Sequence, residues 1–180
     1  SHFSAREIVE LLRVPAEKVF PIWLGLPKFG PPLAPEAAEA AREAIGIRRP
    51  YLLMVGTIEP RKNIPFLIKI FEALTDFDGE LVVAGGLGWK TGPTLSVMTY
   101  SPRREQIKLV KHMNDAQLSA LYAGAAAFVY PTRYEGFGFP LEAMSRGTSV
   151  IAARNSSLPE VLGDAPVWVD GFDVEEWAAA

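Results

Sequence analysis

From Tyr51 onward the chain repeats one pattern, a short apolar run followed by a stretch whose apolar residues fall at helical spacing. The runs are Tyr51–Val55, Leu81–Ala84, Ile107–Val110, Ala127–Tyr130, Ser149–Ala152 and Val167–Val169. Most are continuous rather than alternating, as in strands covered on both faces. Between them, helices are predicted at Ile64–Leu74, Thr94–Met98, Asp115–Ala123, Pro140–Arg146 and Leu158–Leu162. Such alternation folds into a Rossmann-like α/β domain, a doubly wound parallel sheet. Ligands of these sheets bind outside the carboxyl ends of the strands, so the loops that follow strands carry the candidate site. The stretch 85–104, rich in Gly, Pro, Ser and Thr, is expected to be largely a mobile loop.

Ahead of this repeat, Ser4 and Glu7 form a capping box for a helix through Leu12, which Val14-Pro15 ends. Lys18–Trp23 reads as a short strand, Leu26–Pro32 as a Pro/Gly-rich connector, and Glu36–Ile45 as an alanine-rich helix. The chain opens on Ser1 without the basic-then-apolar layout of a signal peptide. It stops at Ala180 inside a predicted helix. An excised part of a longer protein is the expectation.

Composition removes several kinds of chemistry. A net charge of −3 with no basic run gives no nucleic-acid footprint. There is no cysteine, hence no disulfide framework, thiol nucleophile or thiolate metal site. The two histidines, His2 and His112, are far apart, which argues against a histidine metal site. No segment approaches the ~20 apolar residues of a membrane span.

The most informative loop follows the run ending at Tyr130: Pro131-Thr132-Arg133-Tyr134-Glu135-Gly136-Phe137-Gly138-Phe139-Pro140-Leu141-Glu142. Gly136 and Gly138 let backbone approach whatever lies above the strand. Pro140 suits the first position of the next helix, whose N-terminus favours an anion, phosphate above all. Glu135 and Glu142 would repel phosphate and are better suited to accept hydrogen bonds from hydroxyl groups. Phosphate with several hydroxyls describes a sugar nucleotide. In the loop after Val55, Asn63 is placed to cap a helix, and Arg61 and Lys62 just before it oppose the helix dipole. They make sense if a diphosphate bridges them, Arg61 as a fork of donors and Lys62 as a point charge. Taken alone, Arg61 and Lys62 also fit a solvated basic turn, Glu135 a solvated loop residue, and Glu142 a favourable first-turn charge.

Glu135 and Glu142, seven positions apart around Gly-Phe-Gly-Phe-Pro-Leu, resemble the E-x7-E motif of retaining glycosyltransferases with the GT-B architecture, family four especially, with one residue fewer between the two carboxylates. The Gly56–Asn63 loop resembles that family's glycine-to-lysine phosphate loop. Lys62 falls on the family's lysine; Thr57 stands where many members carry an arginine, and Arg61 is the local substitute. Asn155-Ser156-Ser157-Leu158-Pro159-Glu160-Val161 resembles the family's loop before the last strand, its hydroxyls capping a helix or touching ligand. Where the family's backbone contacts the donor base, this chain has His112 and Met113, with Asp115 capping the helix beyond. Two other signatures fail. Gly85-Gly86-Leu87-Gly88 lacks the G-x-G-x-x-G spacing of a dinucleotide loop, and Asp76-Phe77-Asp78 precedes a strand instead of following one, so it is a turn and no metal site.

The resemblance implies the C-terminal, donor-binding half of such an enzyme. Residues 1–47 would form the interdomain junction and 48–180 the donor domain, with the N-terminal acceptor domain absent. The full enzyme would transfer a sugar from a nucleoside diphosphate sugar to a glycan, lipid or small-molecule acceptor, with retention and without metal or other cofactor. Lys62 and Arg61 would neutralise the leaving diphosphate and Glu135 would hold a sugar hydroxyl, these three forming the catalytic set. Gly56, Thr57, His112, Met113, Gly136, Phe137, Gly138, Phe139 and Glu142 would complete the substrate site, Glu142 on the ribose. The expected location is the cytoplasm, with or without membrane-peripheral attachment. A sugar-nucleotide epimerase of the same fold and a non-enzymatic Rossmann-like interaction module stay open as alternatives.

Overall fold

The computed structural model describes residues 1–26 and 33–180, so the connector predicted at Leu26–Pro32 lies, apart from Leu26, outside the described residues. Six strands form one sheet: β1 (Tyr51–Val55), β2 (Glu80–Ala84), β3 (Ile107–Val110), β4 (Ala127–Tyr130), β5 (Val150–Ala153) and β6 (Val167–Val169). Their order is β3-β2-β1-β4-β5-β6, and every neighbouring pair is parallel. The central strands β1 and β2 are buried along their whole length, which is why they read as uninterrupted apolar runs. The edges differ. β3 buries only Val110 and carries Lys108, whose ammonium lies 3.7 Å from Glu80 on β2, while β6 has three residues with Val167 exposed. Short and charged edges discourage pairing with other chains.

The helices are α1 (His2–Leu12), α2 (Pro35–Glu43), α3 (Ile64–Ala73), α4 (Gly92–Tyr100), α5 (Asp115–Gly124), α6 (Phe139–Ser145), α7 (Leu158–Leu162) and α8 (Val174–Ala179). α3 packs with α4 and α8, whereas α5 packs with α2 and α6, and α6 with α7. The first group covers one face of the sheet and the second the other. α3 illustrates the cause: Ile64, Leu67, Ile68 and Phe71 recur at helical spacing and are fully buried, each worth about 2 kcal/mol of transfer free energy. No helix among the described residues is long and apolar enough to cross a membrane.

Several predicted details are corrected. α1 starts three residues early, capped by the Ser1 hydroxyl, which accepts from the Ser4 amide at 3.1 Å, so Ser4 and Glu7 form no capping box. Lys18 ends a short turn from Ala16, and Val19–Leu26 form no strand, because among the described residues no strand pairs with them. The stretch 85–104 contains the nine-residue α4, which Pro93 near its start helps to nucleate. Asn114, not Asp115, caps α5, in a capping box with Gln117. Asn63 stands at the start of α3 with a left-handed backbone, φ 55°, and its side chain caps nothing; Oδ1 accepts from Arg133 at 3.3 Å instead. In α6, Phe139 takes the first helical position and Pro140 the second.

The topology fixes where a ligand can sit. From β1 the chain moves outward through β2 to β3, then returns past β1 to β4, which pairs with it in the register Leu52–Ala127 and Leu53–Phe128. The loops leaving β1 and β4 therefore diverge from adjacent strand ends, which opens the crevice of a doubly wound sheet. Beside it, the loops after β1 and β2 touch. Gly85 has φ +152°, and a Cβ there would stand 2.1 Å from the Gly56 carbonyl oxygen. Gly85→Ala should therefore lower stability by about 3 kcal/mol, read as a fall in urea midpoint at unchanged slope. Gly86→Ala, with nothing within 4 Å of the added carbon, should change it by less than about 0.5 kcal/mol.

Candidate functional site

Two loops meet over the ends of β1 and β4. The first, 56–63, ends in a tight turn, Pro60–Lys62, just before α3. This turn directs Lys62 inward, so that only 3% of the residue is exposed. Its ammonium donates to Oε1 of Glu135 at 2.6 Å and to the Tyr130 hydroxyl at 2.6 Å. It also lies 5.0 and 5.1 Å from the ring centroids of Tyr130 and Phe139, within cation–π range. Arg61 reaches the same oxygen of Glu135 at 2.7 Å, and its other branch meets Glu59 at 2.5 Å. The second loop, 131–138, brings Glu135. Besides the two cations, its Oε1 accepts from Tyr130 at 2.9 Å and from Thr132 at 3.0 Å. Four donors thus converge on one oxygen of a residue 5% exposed. The other oxygen, Oε2, is turned toward Gly138, 3.9 Å from where a Cβ would stand there.

Backbone contacts hold this geometry. The Arg61 carbonyl accepts from the Arg133 amide at 2.9 Å, which sews the two loops together. A third loop, after β5, supports the second from below. The Glu135 amide donates to the Ser156 hydroxyl at 2.8 Å, the Ser157 hydroxyl donates to the Glu135 carbonyl at 2.5 Å, and Asn155 donates to the Thr132 carbonyl at 2.7 Å. These bonds place the hydroxyls of the 155–161 motif on the backbone of Glu135.

The electrostatics follow from burial. Desolvation pulls the Lys62 ammonium below the usual lysine range, against the hydrogen bond and charge of Glu135, which raise it. Arg61 also feels burial, but Glu135 and Glu59 outweigh it and hold the guanidinium above its ordinary value. Burial first, then Glu135, pushes the Tyr130 phenol far up, so it remains a neutral hydroxyl able to accept from Lys62 and donate to Glu135. Two cations, Arg61 and Lys62, face two carboxylates, Glu59 and Glu135. Glu142, in the first turn of α6, stands apart from this cluster. Burial raises its carboxyl above the usual range, partly offset by the Tyr122 hydroxyl donating to Oε2 at 2.9 Å.

Of the predicted site residues, Gly56, Arg61, Lys62, Glu135 and Phe139 come together. Gly56 belongs there for a steric reason: at φ +147°, a Cβ would stand 3.0 Å from Cε of Lys62. Buried Lys62 and Glu135 are neither a solvated turn nor a solvated loop residue. Gly136 is exposed, and Phe137 and Gly138 are half-buried along the rim of the second loop. Thr57 is exposed, with its methyl group against Gly88 instead of the cluster. His112, exposed with φ +54°, and half-buried Met113 follow β3, at the same end of the sheet but two strands from β1. Tyr130, Thr132, Tyr122 and Glu59 were not singled out from the sequence. Tyr130 is the last residue of a buried strand directly below the loop, a position where sequence alone does not separate a packing phenol from a bridging one.

No group of three or more His, Asp or Glu among the described residues could hold a metal ion. A hollow of about 230 Å³ lined by Arg42, Arg48 and Tyr51 lies at the opposite end of β1, away from this cluster. The crevice therefore offers two cations, one free carboxylate oxygen and a second carboxylate on the next helix. Such a set can grip phosphate and accept from hydroxyls.

Comparison with known proteins bears on the fold and the family. The chain is 35% identical to the O-antigen chain mannosyltransferase B of Escherichia coli over 184 residues, covering 99% of this chain and 48% of that protein. It thus spans about half the length of that relative. Among solved structures, a glycosyltransferase from Rickettsia africae superposes with a TM-score of 0.77 at 17% identity, over 99% of this chain and 50% of that one. The HepE protein of Anabaena, solved in complex with UDP-glucose, superposes with a TM-score of 0.71 at 17% identity, over 82% of this chain and 42% of that one. These two likenesses establish a shared fold. Residues 37–180 match the family model described as glycosyl transferases group 1, and the chain belongs to that family.

Proposed function

We propose that this chain binds a nucleoside diphosphate sugar in the crevice above β1 and β4, and that the whole protein transfers the sugar to an acceptor. The observation that carries the reading is the pairing of Lys62 and Arg61 with Glu135 where the two diverging loops meet. Lys62 has three N–H donors and spends two on Tyr130 and Glu135, so one remains for a diphosphate oxygen. Arg61 adds a fixed positive charge beside it. Together they stabilise the negative charge that develops on the leaving diphosphate, the kind of electrostatic help that lowers such barriers most. Backbone amides of Gly136–Phe139 supply further donors. Oε2 of Glu135 accepts from a sugar hydroxyl, and Glu142 from the ribose. His112 and Met113 lie on the side where the base would reach.

The relative's name adds mannose as the proposed sugar and a growing O-antigen glycan as the proposed kind of acceptor. In this reading residues 1–47 are the junction to a second domain that holds the acceptor, and 48–180 are the donor domain. Transfer proceeds with retention and without a metal, because Arg61, Lys62 and the amides carry the neutralising role.

Calorimetric titration with GDP, UDP, ADP and dTDP tests the donor site. One diphosphate should bind, and Lys62→Met, which keeps the stem between the Tyr130 and Phe139 rings, should weaken it roughly tenfold or more. Glu142→Ala should weaken it as well. Unaltered binding in both variants would contradict the assignment. With the full-length protein, a new glycoside is the expected product; interconversion of sugar nucleotides without transfer would overturn the transferase reading.

Glu142 also carries a stability signature. Its folded carboxyl is raised, so the cost of ionising it is present at neutral pH and absent below the usual glutamate range. Glu142→Gln, which can still accept from Tyr122, should raise Tm by about 2 °C at pH 7. The difference should vanish near pH 4. A destabilised variant at pH 7 would show that the carboxylate supports the fold instead of function.

A further inference from the structure

We infer that Tyr130 is a positioning residue of this site: its hydroxyl fixes Lys62 and Glu135 as a rigid pair, so that one N–H and one carboxylate oxygen stay free for ligand. The inference rests on the donor-site reading above. Its ground is the hydrogen-bond direction at one oxygen atom. The Tyr130 hydroxyl accepts from Lys62 at 2.6 Å and donates to Oε1 of Glu135 at 2.9 Å, closing a triangle with the 2.6 Å bond between Lys62 and Glu135. Both capacities of the phenol are used, and neither partner can rotate without breaking two bonds. The ring is fully buried and tilted against Phe128, at 5.4 Å between centroids, so the hydroxyl is held by the core of the sheet and not by the loops.

Two consequences follow for the reacting groups. A lysine on a flexible stem loses rotamer freedom when it grips phosphate; here the core has already fixed it. A carboxylate paired with two cations would tend to offer either oxygen, but Tyr130 and Thr132 both donate to Oε1. Oε2, on the Gly138 side, is therefore the one presented to a sugar hydroxyl. The charged and titratable groups facing Lys62 are Glu59 and Arg61 on its own loop and Glu135 and Tyr130 opposite, with Glu142 acting on Tyr130 from α6. Among these, Tyr130 alone is uncharged at neutral pH, so removing its hydroxyl changes no net charge.

Tyr130→Phe removes only that oxygen. Two readouts distinguish positioning from packing. The first is the Lys62 side-chain titration followed by NMR in the free protein, assigned by its loss in Lys62→Met. The second is the ratio of affinities for a nucleoside diphosphate and the matching monophosphate, which reports the grip on the second phosphate. Positioning predicts that Lys62 titrates at lower pH in the variant, having lost an acceptor for its ammonium. It also predicts that the diphosphate preference falls roughly tenfold, with monophosphate affinity within about twofold of the parent. An unchanged Lys62 titration and an unchanged ratio, with only Tm lowered, would overturn it. Should the parent bind neither nucleotide, the donor-site reading fails by itself, and the Lys62 titration still decides whether Tyr130 sets the pair.

Discussion

A single carboxylate oxygen ties together the two loops that leave the ends of β1 and β4. Oε1 of Glu135 gathers Lys62 and Arg61 from the loop after β1, and Tyr130 and Thr132 from the strand and loop that carry Glu135 itself. The fold creates the need for this junction. A doubly wound sheet leaves two loops diverging from adjacent strand ends, with nothing in the sheet's own hydrogen bonding to relate them. A buried ion pair is an expensive way to join loops, since both charges lose water and the attraction between them seldom returns the full cost. Four donors directed at one oxygen offset part of that cost, and under the proposed function the same arrangement preorganises the charged groups before a ligand arrives.

The same carboxylate is braced from two further directions. The loop after β5 grips the Glu135 backbone through Ser156 and Ser157, at the start of α7. α7 in turn carries Glu160, whose carboxylate accepts from the amides of His2 and Phe3 at 2.7 and 2.9 Å and from the Trp23 indole at 2.8 Å. The segment ahead of the sheet is thereby fastened beside the site. It also meets Tyr134, the residue before Glu135, through a hydrogen bond from the Tyr134 hydroxyl to Glu7 and through the Phe3 ring at 5.9 Å. Its apolar side chains, Leu11, Leu12, Phe20, Ile22 and Leu24 among them, remain exposed.

The sheet was legible in the sequence because parallel strands buried on both faces do not alternate polar and apolar residues; the runs at Tyr51–Val55 and Leu81–Ala84 are continuous, mostly β-branched or bulky, and too short for buried helices. Helix starts were harder. Asn114 and Asp115 are both good caps, and only the reach of Gln117 back to the Asn114 amide, at 3.0 Å, decides between them. The apolar run Lys18–Trp23 has strand composition but no partner strand among the described residues, and composition alone carries no information about neighbours. In the site, the positions of Lys62, Arg61 and Glu135 on post-strand loops were readable, because spacing and charge against a helix dipole are local properties. Their mutual contact was not, since Lys62 and Glu135 are far apart in sequence and meet only through the β1–β4 pairing. Tyr130 was concealed for a related reason: at a strand end, a tyrosine that packs and a tyrosine that also bridges two charges look the same.

The most direct measurement is an amide NMR footprint of a nucleoside diphosphate titrated into the ¹⁵N-labelled chain. The account predicts that the largest shift changes fall on residues 56–63 and 131–142, the two loops joined by Glu135, with a lesser cluster at His112 and Met113. Saturable changes centred on the hollow at Arg42, Arg48 and Tyr51, with the two loops silent, would contradict it.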